Sequence, residues 1–116
     1  MPAARGSAFL THADRLQLCK VSEVAPGKTL RVHPEGMDPI MVCNVAGAFH
    51  AVDDECTHAL ASLSEGRLQG TIVFCPMHGG SFDVRSGKAK GLPCKQPLRT
   101  WPLEVTDGKV YLLMRR

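Results

Sequence analysis

The sequence holds 116 residues, 44% of them hydrophobic and 22% charged, with a formal net charge of +3. That make-up suits one globular domain with a modest core and argues against a second. No apolar run reaches the roughly 20 residues of a membrane helix, and the Lys and Arg are too scattered to form a basic stripe for nucleic acid.

The first 13 residues carry Arg5 but no apolar stretch of signal-peptide length, so residues 1–15 are expected to form a tail and residues 16–116 the domain. Beyond the tail the pattern is β throughout. Residues 16–21 alternate as a strand, Pro26-Gly27 turns the chain, and residues 28–32 alternate again. Ile40-Met41-Val42-Cys43-Asn44-Val45, then Ala46-Gly47, then residues 48–52 predict a hairpin closed by a tight turn. Asp53-Asp54-Glu55 reads as a solvated acidic loop. Leu68, Ile72, Val73 and Phe74, flanked by Gly66 and Gly70, read as one strand or hairpin arm, and residues 81–84 as a short strand before the turn Arg85-Ser86-Gly87-Lys88. Residues 91–97 contain Pro93 and Pro97, too much proline for a central strand. Residues 98–105 and 110–114 predict a terminal hairpin around Asp107-Gly108, with Pro102 marking an edge or bulge. The only plausible helical turn falls within residues 59–65.

Chemistry concentrates between Cys56 and Phe82. Two short hooks, Cys56-Thr57-His58 and Cys75-Pro76-Met77-His78, each offer one thiol and one imidazole, with sixteen residues between them. Two Cys and two His suit a tetrahedral zinc, and they equally suit a two-iron, two-sulfide cluster with Cys on one iron and His on the other. Zinc fingers usually keep like ligands together, whereas mixed hooks let each loop reach both irons. The other cysteines, Cys19, Cys43 and Cys94, read as buried packing residues. Three is an odd remainder, which argues against obligate disulfides and for a reducing cytoplasm. His12, His33 and His50 have no ligand-spaced partners and read as ordinary surface or turn histidines.

The pattern C-x-H followed by C-P-x-H-G-G-x-F resembles the Rieske 2Fe-2S proteins. The segments C-T-H-A, L-S-E-G and R-S-G-K are most similar to the soluble Rieske ferredoxins that serve bacterial aromatic-ring-hydroxylating dioxygenases. The resemblance implies an all-β Rieske iron-sulfur fold, with antiparallel base sheets forming a sandwich that carries a small cluster-binding subdomain over residues 56–84. It implies one Rieske-type 2Fe-2S cluster, with Cys56 and Cys75 on a buried iron and His58 and His78 on an outer one. Gly79 and Gly80 would let the backbone approach the cluster sulfides.

High-potential relatives place a disulfide at the positions of Ala61 and Met77, and cluster-bonding hydroxyls at those of Gly80 and Phe82. Their absence here implies a potential near the low end of the Rieske range, with Ser81 a weaker substitute donor. The resemblance further implies that Leu92 and Pro93 wall the cluster, and that docking uses the tip bearing His58, His78, Leu92 and Pro93. The expected protein is a monomeric cytoplasmic carrier, not an enzyme, that passes electrons from an NADH-dependent flavoprotein reductase to a terminal Rieske oxygenase, with no nucleic-acid or membrane partner. Two alternatives stay open: a Rieske-like small subunit of an assimilatory nitrite reductase, and a structural zinc module.

Overall fold

The computed structural model describes residues 14–57, 60–77 and 79–114. All but the end of the expected tail lies outside them, and Arg15 already belongs to the first strand. Eleven strands follow in chain order: β1 (Arg15–Lys20), β2 (Thr29–Val32), β3 (Ile40–Val45), β4 (Ala48–Asp53), β5 (Arg67–Gln69), β6 (Ile72–Phe74), β7 (Ser81–Asp83), β8 (Ala89–Gly91), β9 (Thr100–Trp101), β10 (Leu103–Thr106) and β11 (Lys109–Leu113). They form three sheets in the orders β1-β11-β10, β2-β3-β4-β9 and β5-β6-β7-β8, and every strand pair is antiparallel. Apart from Asp14, helix among the described residues is limited to the 3-10 turns Val21–Glu23 and Leu63–Glu65, the second within the segment expected to hold one.

Strand β3 is the spine. Successive side chains of a strand point to opposite faces, so a continuous apolar run makes sense only where both faces are covered. Met41 and Cys43 pack with Val52 toward the sheet β5-β6-β7-β8. Val42 packs with Cys19, Val24 and Val110, and Ile40 with Ala51 and Leu112, toward the sheet β1-β11-β10. Burying each such large apolar side chain is worth roughly 1.5–3 kcal/mol. The first two sheets thus form the base, and the third rides on it.

The turns obey their residues. Ala46 and Gly47 have φ of 52° and 95°, and Asp107 and Gly108 have 53° and 73°, the left-handed pairs that tight two-residue hairpins require. Two strand expectations need correction, and one short strand was not expected. The stretch from Leu68 to Phe74 is two strands, β5 and β6, paired as a hairpin. Residues 98–105 do not form one strand: β9 pairs with β4 in one base sheet, while β10 pairs with β11 in the other. Pro102 stands at the crossing, because it offers no N–H to continue the first ladder. The proline-rich segment is preceded by β8, an edge strand hydrogen-bonded to β7 that carries the third sheet past Val84 to Gly91.

Candidate metal centre

The first hook hangs from the end of β4, and of the acidic run before it Asp53 and Asp54 are anchors rather than solvated side chains, while Glu55 is exposed. The Trp101 indole N–H donates to Asp53 Oδ1 at 2.8 Å. Asp54 is 1% exposed. Its carboxylate accepts from the Ser64 backbone N–H at 2.8 Å and from Arg31 Nε at 3.2 Å, while its own backbone N–H donates to the Pro39 carbonyl and its carbonyl accepts from Leu63. A buried carboxylate persists only when donors satisfy it in this way. Beyond it the Cys56 N–H donates to the Ala61 carbonyl at 3.0 Å, and the Thr57 hydroxyl donates to the Gln96 carbonyl at 3.0 Å. The hook is therefore tied at its base, across its own loop and to the proline-rich loop.

The second hook joins β6 to β7. The Cys75 N–H donates to the Gly80 carbonyl at 2.7 Å and closes the loop, and Gly79 takes a φ of 75° that a side chain would strain. Inside the loop the Met77 backbone N–H points at the Cys75 sulfur. An amide aimed at a sulfur stabilises the thiolate that a metal needs. Burial nevertheless pushes the Cys75 thiol up overall, with the neighbouring Cys56 adding to the rise. A metal must displace that proton to be held, so binding weakens in acid.

Cys56 and Cys75 are both buried, and they share one core with Leu63, Val73, Phe82, Val84 and Leu98. A third thiol joins them. Cys94 is buried in the same core, with its Sγ 3.9 Å from Cys56 Sγ. Burial first, then Cys56, pushes the Cys94 thiol up to about 12. Its position also explains Gly80: a Cβ there would collide with Cys94 Sγ. The glycine makes room for a thiol, a requirement beyond the expected approach of backbone to sulfide. Among the described residues, chain neighbours aside, no atom stands within 4 Å of where a Gly79 Cβ would sit, so the requirement they show is conformational. Phe82 is fully buried, paired with Val73 and Ala89.

His58 and His78 lie outside the described residues. The two hook loops and the proline-rich loop carry exposed apolar side chains: Leu60 is 91% exposed, Leu92 75% and Met77 47%, with Pro93 exposed beside Leu92. From the proline-rich loop it is Cys94 that turns inward, while Leu92 and Pro93 face out. The described cysteines are all free of disulfides, and Ala61 packs on the edge of the thiol core. Sequence reasoning missed Cys94, Leu60, Met77 and the anchoring role of Asp54. The signal for Leu60 and Met77 was their place beside the hooks, whereas nothing local points from Cys94 to Cys56.

Paired buried thiols on hydrogen-bonded loops fit a metal-sulfur centre: soft thiolates select iron-sulfur clusters or zinc. Comparison with known proteins decides between them. Residues 14–102 match the model of the Rieske [2Fe-2S] domain. The chain is 47% identical over 96 residues to the ferredoxin component of biphenyl 2,3-dioxygenase of Rhodococcus jostii, covering 83% of this chain and 89% of that one. It is 46% identical over 101 residues to the ferredoxin component of the p-cumate 2,3-dioxygenase system of Pseudomonas putida, covering 85% of each. Among solved structures it resembles, with a TM-score of 0.83 and 41% identity over 89% of this chain and 95% of that one, a chain in the complex of reduced oxygenase and oxidized ferredoxin of carbazole 1,9a-dioxygenase. The chain belongs to the Rieske [2Fe-2S] family. It is a Rieske-type ferredoxin, an electron-transfer protein whose cofactor is a 2Fe-2S cluster, and the zinc alternative falls away.

Proposed function

We propose that this chain is the ferredoxin of an aromatic-ring-hydroxylating dioxygenase system, taking single electrons from an NADH-dependent flavoprotein reductase and delivering them to the Rieske centre of a terminal oxygenase. The observation that carries this reading is the exposure of Leu60, Met77, Leu92 and Pro93 on the three loops that bear the buried thiols Cys56, Cys75 and Cys94. An exposed apolar patch beside a redox centre suits a partner that docks briefly, since small interfaces release readily. Likeness to ferredoxin components of the biphenyl and p-cumate systems, and to a ferredoxin solved together with its oxygenase, favours it over the nitrite-reductase alternative.

In this reading Cys56 and Cys75 hold the inner iron and His58 and His78 the outer. When bound, the cluster supplies storage for one electron at a time. The chain's own residues do the rest: Asp53 and Asp54 hold the first loop, and Gly80 closes the second onto Cys75. The core of Val73, Phe82 and Leu98 keeps water from the thiolates. The carrier acts as a cytoplasmic monomer, and among the described residues no helix is long and apolar enough to cross a membrane.

The test is reconstitution with a flavoprotein reductase, NADH and a biphenyl-type terminal oxygenase. Leu92→Asp at the tip should leave the cluster spectrum unchanged and slow electron delivery at least tenfold. Unaltered delivery by this variant would place docking elsewhere, and reduction of nitrite instead of oxygenase turnover would revive the alternative.

A further inference from the structure

The proline-rich loop brings a third buried thiol to the metal centre. Cys94 Sγ stands 3.9 Å from Cys56 Sγ, within reach of an S–H···S contact. Two features of the surrounding chain hold it there. The Cys94 N–H donates to the Gly91 carbonyl at 3.1 Å, and the missing side chain of Gly80 leaves the space that Cys94 fills. Nearby, the Thr57 hydroxyl ties the first hook to the Gln96 carbonyl of the same loop. That bond ties the loop to the hook that carries Cys56.

Either sulfur could donate in the free protein, but not once iron is held. A ligating cysteine is a thiolate and carries no proton. Cys94 must then be the donor and Cys56 the acceptor. Hydrogen bonds to the sulfurs of a cluster stabilise its added electron and raise its potential. We propose that Cys94 is a positioning and tuning residue, whose S–H donates to the sulfur of Cys56 and strengthens the hold on the added electron. This rests on Cys56 being a ligand, but not on which partners the carrier serves. It gives the chain a sulfur-directed side-chain donor in place of the hydroxyls that Gly80 and Phe82 do not supply.

The experiment is a redox titration of the cluster-loaded protein and its Cys94→Ala and Cys94→Ser variants, with no partner protein present. Resonance Raman spectra in light and heavy water accompany it. Loss of the donor in Cys94→Ala should weaken affinity for the electron about tenfold, which is about 59 mV for a one-electron couple. The variant should also lose part of the deuterium shift of the iron–cysteine stretches. Cys94→Ser keeps a donor and should lie closer to the parent on both readouts.

Equal potentials and equal deuterium shifts in all three proteins would overturn the proposal and leave Cys94 a packing residue. Loss of the parent's mixed nitrogen and sulfur ligand spectrum in Cys94→Ala, with the protein still folded, would overturn it in favour of direct ligation. Should Cys94→Ala fail to fold, the Cys94→Ser comparison decides: a serine variant without the parent's deuterium shift refutes the donor role. A failed reconstitution with an oxygenase would leave all these readings intact, so the two conclusions fail separately.

Discussion

Replacing Asp54 by Ala should loosen the first hook without touching a thiol. The carboxylate is 1% exposed and accepts the Ser64 N–H at 2.8 Å and Arg31 Nε at 3.2 Å. A hydrogen bond to a charged acceptor contributes roughly 1.5–3 kcal/mol, and the deserted, partly buried Ser64 amide keeps its desolvation cost. The Arg31 pair counts for less. The Arg31 side chain is 48% exposed, and solvent screening holds such a pair to about 1 kcal/mol or below. The sum is about 2–4 kcal/mol, a large share of the roughly 5–15 kcal/mol that keeps a domain folded. In urea this corresponds to a midpoint about 1–3 M lower. The assay follows unfolding by circular dichroism, and cluster loss by visible absorption, on the same sample. Asp54→Asn keeps an acceptor oxygen for Ser64 but no charge for Arg31, and should fall between parent and Asp54→Ala. An Ala variant with the parent's midpoint and cluster lifetime would refute the anchoring argument.

Gly80→Ala should crowd Cys94 Sγ and destabilise by about 1–3 kcal/mol, as overpacking does; adding Cys94→Ala should recover most of it, and strict additivity in the urea midpoints would contradict the contact. Trp101→Phe removes the 2.8 Å bond to Asp53 and should cost about 1.5–3 kcal/mol by the same denaturation. His50 has its proton affinity lowered by burial and then by the Arg85 guanidinium, with Asp83 opposing. A histidine held neutral in the fold contributes stability that is whole above its ordinary value near 6.5 and is lost as pH falls through the lower folded value. His50→Gln should therefore flatten the loss of stability on mild acidification, and an unchanged pH slope would show that the imidazole plays no part.

Much of the architecture was legible locally. The run from Ile40 to Cys43, the turn pairs Ala46-Gly47 and Asp107-Gly108, and the alternation of residues 28–32 each carry their own physical instruction, and the strands stand where those instructions put them. The hooks were legible as chemistry for the same reason, because ligand type and spacing are properties of the chain itself. What was hidden depends on contacts between distant segments. Asp54 looks like one of three solvated acids until Ser64 and Arg31 fold onto it. Cys94 looks like a stray cysteine in a proline-rich loop until it meets Cys56. Residues 98–105 read as one strand because periodicity does not reveal that Pro102 divides it between two sheets, and the three-residue β8 is too short to show a period at all.

The most direct test of the account is a redox titration of the anaerobically purified protein, with magnetic resonance of the reduced cluster in the parent and in His58→Ala and His78→Ala. The account predicts two imidazole nitrogens coupled to the reduced cluster, a midpoint near the low end of the roughly −150 to +300 mV Rieske range, and loss of the native signal in either variant. A midpoint near the high end, or a histidine variant that keeps the full parent signal, would contradict it.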